Sequence, residues 1–159
     1  MFLIKNGIGF EVEPKTSGNS NADFMLILND KKIILEAWVR RLKNKESNYI
    51  GSAEITQNLR GDIAEKLSKN GISEGFKLPV ILAIDCDYAG IDEVSVRYAL
   101  SGDELKCSPG PIKIPWVSGI LLKKSVKFFV TYNLFYYPNP HANYSLSEEQ
   151  VSILTKKSD

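Results

Sequence analysis

Asp23 and Glu36 are the two residues of this sequence whose types and spacing could do chemistry together. Asp23 opens the apolar segment DFMLIL, and Glu36 interrupts the aliphatic run KKIILEAWVRR. Burying a carboxylate inside an apolar strand is expensive unless a partner compensates its charge. Two converging carboxylates can hold a divalent cation, because Mg²⁺ prefers hard oxygen ligands and keeps several waters. The pair therefore predicts a metal site, provided that the fold brings the two side chains together.

The segment that carries both acids is predicted to form a β-hairpin. Residues 23–41 contain two apolar strands around the turn sequence NDKK. A two-residue turn at Asp30-Lys31, or a four-residue turn around it, places Asp23 and Glu36 on one face of the hairpin. They would be diagonal neighbours, about 5–8 Å apart. A three-residue turn would instead place them on opposite faces, because side chains alternate along a strand.

The other elements are predicted from hydrophobic periodicity and capping residues. Their order is strand, hairpin, helix, strand, helix, hairpin and helix, which predicts an α/β (α+β) fold with a mixed central sheet flanked by helices. Parallel neighbours are expected where a helix separates two strands. Asp92 and Ser147 are the predicted N-caps, and Ser147 with Gln150 fits a capping box. The predicted elements are a strand at 8–14, helices at 53–71, 91–102 and 147–157, a strand at 78–87 and two strands within 115–137.

Length, charge and composition narrow the class of protein. The 159 residues suit a single domain over 1–159. A net charge of +1 gives no global basic bias, so any surface for nucleic acid must be local. The two cysteines form no disulfide framework and no metal-ligand spacing. No apolar run is long enough to span a membrane, and the N-terminus lacks the layout of a signal peptide, which predicts a cytoplasmic protein without membrane contact.

The acids and the order of elements together resemble the PD-(D/E)xK nuclease superfamily, which has the restriction-endonuclease-like fold. In that family an acid opens one strand of a hairpin, and an acid-x-lysine sequence closes the next strand before a helix and a further apolar strand. Asp23, Glu36-Ala37-Trp38, the helix at 53–71 and the strand VILAID occupy these places. The resemblance implies a nuclease-like core at about 8–102, with a C-terminal strand pair and helix at about 115–157.

The same resemblance implies a chemistry for the two acids. Asp23 and Glu36 would be catalytic residues that hold Mg²⁺ or Mn²⁺ for the hydrolysis of phosphodiester bonds. Trp38 stands where the family has its lysine, and a tryptophan can neither position a water nor offset the charge of a phosphate. Arg40 lies on the face of Glu36 and stays charged, so it is the candidate replacement. Polar residues on the predicted helix are further candidates: Thr56, Gln57 and Arg60.

Nucleic acid is the expected partner, with DNA preferred over RNA. The residues expected to contact phosphates are Arg40, Arg41, Lys43 and Arg60. A partner protein and a homo-oligomer are also compatible with the sequence, since the aromatic-rich stretch VKFFVTYNLFYY is typical of a core or of a protein interface. Two alternatives to an active nuclease stay open. One is a catalytically inactive nuclease-fold module that binds nucleic acid or a partner protein in a larger complex, and the other is an unrelated α/β interaction domain.

Overall fold

The computed structural model describes most of the chain with gaps between the described ranges. These ranges are 8–16, 21–38, 52–73, 75–85, 91–102, 113–125 and 132–156, with the side chains of 52–58 and 125 excepted. Arg40, Arg41 and Lys43 therefore lie outside the described residues, as do the side chains of Thr56 and Gln57.

A mixed six-stranded sheet forms the centre of the described structure, with strands in the order β1 to β6. The strands β3, β4 and β5 are mutually parallel neighbours, and the remaining neighbours are antiparallel. This confirms the predicted α/β fold with helices flanking a mixed sheet. The strands are β1 Gly9–Val12, β2 Phe24–Leu28, β3 Lys31–Trp38, β4 Val80–Asp85, β5 Gly119–Ser125 and β6 Tyr132–Pro138, and the described helices are α1 Ser52–Lys69, α2 Glu93–Ser101 and α3 Glu148–Thr155.

The helices bury both faces of the sheet. Helices α1 and α2 pack on one face, where Leu59, Ile63 and Leu67 of α1 are fully buried against strand residues such as Leu82. Helix α3 covers part of the other face through Leu154. Because β4 is covered on both faces, it carries a continuous apolar run where an alternating pattern would otherwise be expected. Among the described helices, none has the length and apolar character required to cross a membrane.

Side chains cap the two shorter helices at the positions that the sequence predicts. The N–H of Ser95 donates to Oδ1 of Asp92 at 2.8 Å. The N–H of Gln150 donates to the hydroxyl of Ser147, and the Gln150 side chain accepts from the N–H of Ser147 at 2.9 Å. These bonds satisfy N–H groups that have no partner within the helix. The predicted caps and capping box are therefore confirmed.

The β2–β3 hairpin turns at Asn29 and Asp30, whose φ angles are 51° and 60°. Positive φ at both central residues is typical of the type I′ turn, whose twist matches that of the flanking strands. Phe24 consequently pairs with Leu35, and extending this register puts Asp23 directly opposite Glu36. The predicted diagonal arrangement was wrong. The turn is centred one residue earlier than Asp30-Lys31, and this changes the strand register by two residues. The predicted side-chain parity was right, because a shift of two residues preserves the face.

The left-handed conformation of Asp30 makes this turn sensitive to a β-branched side chain. Asp30→Val is expected to lower the free energy of unfolding by about 1–2 kcal/mol, because Cβ branching is incompatible with positive φ. Urea denaturation followed by circular dichroism measures the change. Lys31→Val, at the adjacent exposed strand position, is the matched control and should stay within about 0.5 kcal/mol of the unmodified protein. Equal losses in the two variants would contradict the assigned turn.

Candidate functional site

The hairpin brings the carboxylates of Asp23 and Glu36 side by side at its open end. The N–H of Asp23 donates to Oε1 of Glu36 at 3.2 Å. In return, the N–H of Ala37 donates to Oδ2 of Asp23 at 2.8 Å. Each carboxylate is thus oriented by the backbone of the opposite strand, so the register of the hairpin fixes the geometry of the pair.

Glu36 is an acid that the fold has removed from water. Its exposure is 0%, whereas the side chain of Asp23 is 39% exposed. Burial raises the pKa of the Glu36 carboxyl above its ordinary value of 4.5, and the negative charge of Asp23 raises it further. Lys66 and Asn70 lower the pKa of Glu36, because their hydrogen bonds stabilise its charged form.

Lys66 supplies the cation of this site. Its Nζ lies 3.2 Å from Oε2 of Glu36 and 3.6 Å from Oδ2 of Asp23, so a single ammonium group contacts both acids. The amide of Asn70 donates to the same Oε2 of Glu36 at 2.6 Å. The side chain of Lys66 is 21% exposed, which leaves the ammonium group between the buried Glu36 and the partly solvated Asp23.

The packing of α1 explains why Lys66 and Asn70 reach the sheet. The apolar stripe of this helix faces the sheet and is fully buried. Lys66 directly precedes Leu67 of that stripe, and Asn70 follows four residues after Lys66 at the end of the helix, so both lie along the edge of the buried face. The carbonyl of Asn70 accepts a hydrogen bond from the hydroxyl of Thr16 at 2.8 Å, which ties the end of the helix to the segment before β2. The end of α1 is therefore held over the hairpin.

Trp38 lies on the same face as Glu36 but takes a packing role. It pairs in register with Ile84 of β4 and packs, partly buried, against the core beneath α1 and α2. The position that resembles the family's lysine thus contributes apolar surface, and the positive charge at the acids comes from the helix. Sequence reasoning had considered Thr56, Gln57 and Arg60 on this helix and missed Lys66. The signal that could have found it is the spacing of Lys66 and Asn70 beside the apolar stripe.

Arg60 occupies a different place from the one expected of a phosphate-binding residue. Its side chain is 2% exposed. Nε donates to the carbonyl of Ala99 at 3.0 Å and Nη2 to that of Tyr98 at 2.8 Å. These carbonyls belong to the last turn of α2, where a cation is electrostatically favourable. Arg60 therefore joins α1 to α2, and this placement gives no support to a contact with nucleic acid. The other predicted cations, Arg40, Arg41 and Lys43, fall outside the described residues.

The donor set at this site fits a hard divalent cation held by few protein ligands. Asp23 and Glu36 offer carboxylate oxygens, which Mg²⁺ and Mn²⁺ prefer. Within the described ranges, no third Asp, Glu, His or Cys joins them in a group able to hold a metal ion. The remaining ligands would be waters or substrate oxygens, which Mg²⁺ commonly retains.

Comparisons with known proteins identify no family for this chain. No model of a known protein family matches the chain, and no curated protein matches it. Among solved structures, the chain is similar to SfsA of Pyrococcus furiosus in complex with Ca²⁺, at 12% sequence identity and a TM-score of 0.27. The similarity covers 84% of this chain and 54% of that one, so the chain spans about half the length of SfsA. A likeness this weak carries no argument about the site, and membership of the PD-(D/E)xK superfamily stays a prediction.

The ion pair between Lys66 and Glu36 predicts a pH-dependent stability. In Lys66→Met the buried charge of Glu36 loses its cation, so the pKa of Glu36 rises further above 4.5. A raised pKa favours the protonated form in the folded state, so the loss of stability is small below pH 4.5 and grows as pH rises through the folded pKa. At pH 7 we expect a loss of about 3 kcal/mol in urea denaturation.

Lys69→Met is the matched control for this experiment. Lys69 lies on the same helix, but it is 71% exposed and pairs with the exposed Glu65 at 2.6 Å. A surface pair of this kind contributes less than about 1 kcal/mol. The assignment fails if Lys66→Met shows the same small loss at every pH.

Proposed function

We propose that this protein is a metal-dependent phosphodiester hydrolase, a nuclease of the PD-(D/E)xK type in which Lys66 replaces the lysine missing at Trp38. The observation that carries the proposal is the position of one ammonium group, 3.2 Å from Glu36 and 3.6 Å from Asp23. Two acids and a lysine within ion-pairing distance of both are the side-chain types that such hydrolysis requires. Here they come from two strands and a helix.

Asp23 and Glu36 would hold Mg²⁺ or Mn²⁺ in this proposal. A bound divalent cation supplies a Lewis acid for the phosphoryl oxygen and lowers the pKa of a bound water. The protein's own contribution is preorganisation. The N–H groups of Asp23 and Ala37 orient the two carboxylates, and Asn70 fixes the direction of Oε2 of Glu36.

Lys66 would hold the attacking water or a phosphoryl oxygen of the substrate. Its Nζ has three N–H donors, and one of them bonds Oε2 of Glu36. The positive charge also offsets the negative charge that accumulates on the phosphate in the transition state. Arg40, Arg41 and Lys43 follow β3 in the sequence and are proposed to contact the substrate backbone, with DNA preferred over RNA.

A second candidate is a catalytically inactive nuclease-fold module that binds nucleic acid or a partner protein. The observation in its favour is that both oxygens of Glu36 already accept hydrogen bonds from the protein. Oε1 accepts from the N–H of Asp23, and Oε2 accepts from Lys66 and Asn70. A carboxylate satisfied in this way can serve the fold alone. The inactive module is therefore the alternative that an experiment has to separate from the nuclease.

Cleavage of radiolabelled DNA and RNA by the pure protein, with Mg²⁺ or Mn²⁺, tests the proposal. We expect metal-dependent cleavage that Asp23→Asn lowers at least about 100-fold, because the substitution removes a charged ligand and keeps the shape of the side chain. Asp85→Asn is the matched control. Asp85 is also a strand-end acid paired with a lysine, Lys123 at 2.7 Å, but it belongs to the opposite face of the sheet. The control variant should cleave at the unmodified rate.

The two candidates predict different outcomes of this assay. Binding of nucleic acid without cleavage, unchanged in Asp23→Asn, would identify the inactive module. Cleavage that survives Asp23→Asn would contradict the proposed site. Circular dichroism of each variant establishes that a lost activity does not reflect unfolding.

A further inference from the structure

The two edge strands of the sheet differ in how well they are protected from pairing with another chain. β1 is short, with four residues, and Glu11 within it is charged. β6 has seven residues, YNLFYYP, with no charged side chain and with proline only at its end. Within the described residues, β6 pairs with β5 alone and is the last strand of the sheet. A long, uncharged edge presents a row of unpaired backbone groups, and soluble proteins usually block or cover such an edge.

An exposed apolar side chain accompanies the edge of β6. Phe135, at the centre of the strand, is 42% exposed. The ring centroid of Phe135 lies 5.8 Å from the ammonium group of Lys124 on the neighbouring strand β5. We call the open edge of β6 together with Phe135 the β6 surface.

Chain connectivity and a contact with the sheet show that helix α2 runs alongside β6 in the same direction. The guanidinium of Arg97 lies 5.5 Å from the ring centroid of Tyr137, near the end of β6. Helix α2 lies in the connection between the parallel neighbours β4 and β5 and therefore runs opposite to both, whereas β6 is antiparallel to β5. The start of α2 therefore lies near the start of β6, and Arg97 lies near its end.

We propose that the β6 surface binds a second copy of this chain, with the two β6 strands antiparallel about a two-fold axis at Phe135. In this register Phe135 faces itself, Leu134 faces Tyr136, and Asn133 faces Tyr137 of the second copy. β6 carries no charged residue, so the two strands themselves oppose no like charges, whereas the Lys124 ammonium group beside each Phe135 ring brings a positive charge near the axis. The backbone groups along the open edge gain partners, and the sheet becomes continuous through both copies.

Charge complementarity on α2 selects a second copy as the occupant. The two-fold axis places the two α2 helices antiparallel on the same face of the joined sheet. Arg97, near the end of β6, then faces Glu93 of the second copy, near the start of its β6. Within one chain these residues already form an exposed ion pair at 2.8 Å, with side-chain exposures of 66% and 49%. The dimer brings two such pairs together with opposite charges adjacent, which favours this orientation over its reverse.

Oligomeric state across a dilution series, measured by sedimentation velocity, tests the proposed dimer. The unmodified protein should be a dimer that dissociates on dilution. Phe135→Lys places two ammonium groups against each other at the two-fold axis, so the dissociation constant should rise at least about 30-fold. Val12→Lys is the matched control, since Val12 is 57% exposed on the opposite edge strand β1. A monomer at the highest soluble concentration overturns the proposal, as does a dimer that Val12→Lys disrupts and Phe135→Lys leaves intact.

Disulfide trapping tests the antiparallel register itself. In a background with Cys86→Ser and Cys107→Ser, Phe135→Cys should give a covalent dimer on mild oxidation, because facing residues of antiparallel strands lie about 4.5–5.5 Å apart between Cα atoms. Val12→Cys in the same background should remain monomeric on a non-reducing gel. The opposite result would move the interface to β1, and no crosslink in either variant would overturn the register. Because these measurements need no nuclease activity, their outcome does not depend on the proposed function.

Discussion

The buried carboxylate of Glu36 is the constraint on which the rest of the site depends. A charge at 0% exposure is tolerated only with hydrogen-bond donors and a cation around it. The N–H of Asp23 is one donor, and only a hairpin with this register supplies it. Lys66 and Asn70 are the others, and they depend on the length and docking of α1. The turn, the strand register and the packing of α1 are therefore all coupled at the two carboxylate oxygens of Glu36.

The local features of this fold could be read from the sequence because they depend on neighbouring residues. The apolar stripe of α1, the caps at Asp92 and Ser147 and the parallel strands on either side of α1 and of α2 follow from short-range periodicity and chain connectivity. The shared face of Asp23 and Glu36 also followed, because it requires only an even number of residues in the turn. The register did not follow, since Asn29 and Asp30 both adopt positive φ and thereby move the turn by one residue.

Long-range contacts could not be predicted from the sequence, because they depend on how whole elements pack on one another. Lys66 is thirty positions from Glu36, and which turn of α1 lies over the acid depends on how the whole helix docks on the sheet. The placement of Arg60 also depends on long-range packing. A basic residue at the edge of a helix resembles a phosphate ligand until the packing of α1 on α2 buries its guanidinium against the carbonyls of Tyr98 and Ala99. Trp38 then becomes understandable as core, because the cation reaches the acids from another element.

We proposed that Lys66 takes the role of the lysine that the nuclease family has at the position of Trp38. Introducing a lysine at position 38 in a variant without Lys66 tests this proposal most directly. Trp38 is on the face of Glu36, and a lysine stem there could follow the core while its ammonium group reaches toward the acids. The rate of Mg²⁺-dependent DNA cleavage is measured for Lys66→Met and for the double variant Lys66→Met with Trp38→Lys, both shown to be folded. The account predicts that the first variant loses cleavage and that the second substitution restores part of it. Cleavage by Lys66→Met at the rate of the unmodified protein would contradict it.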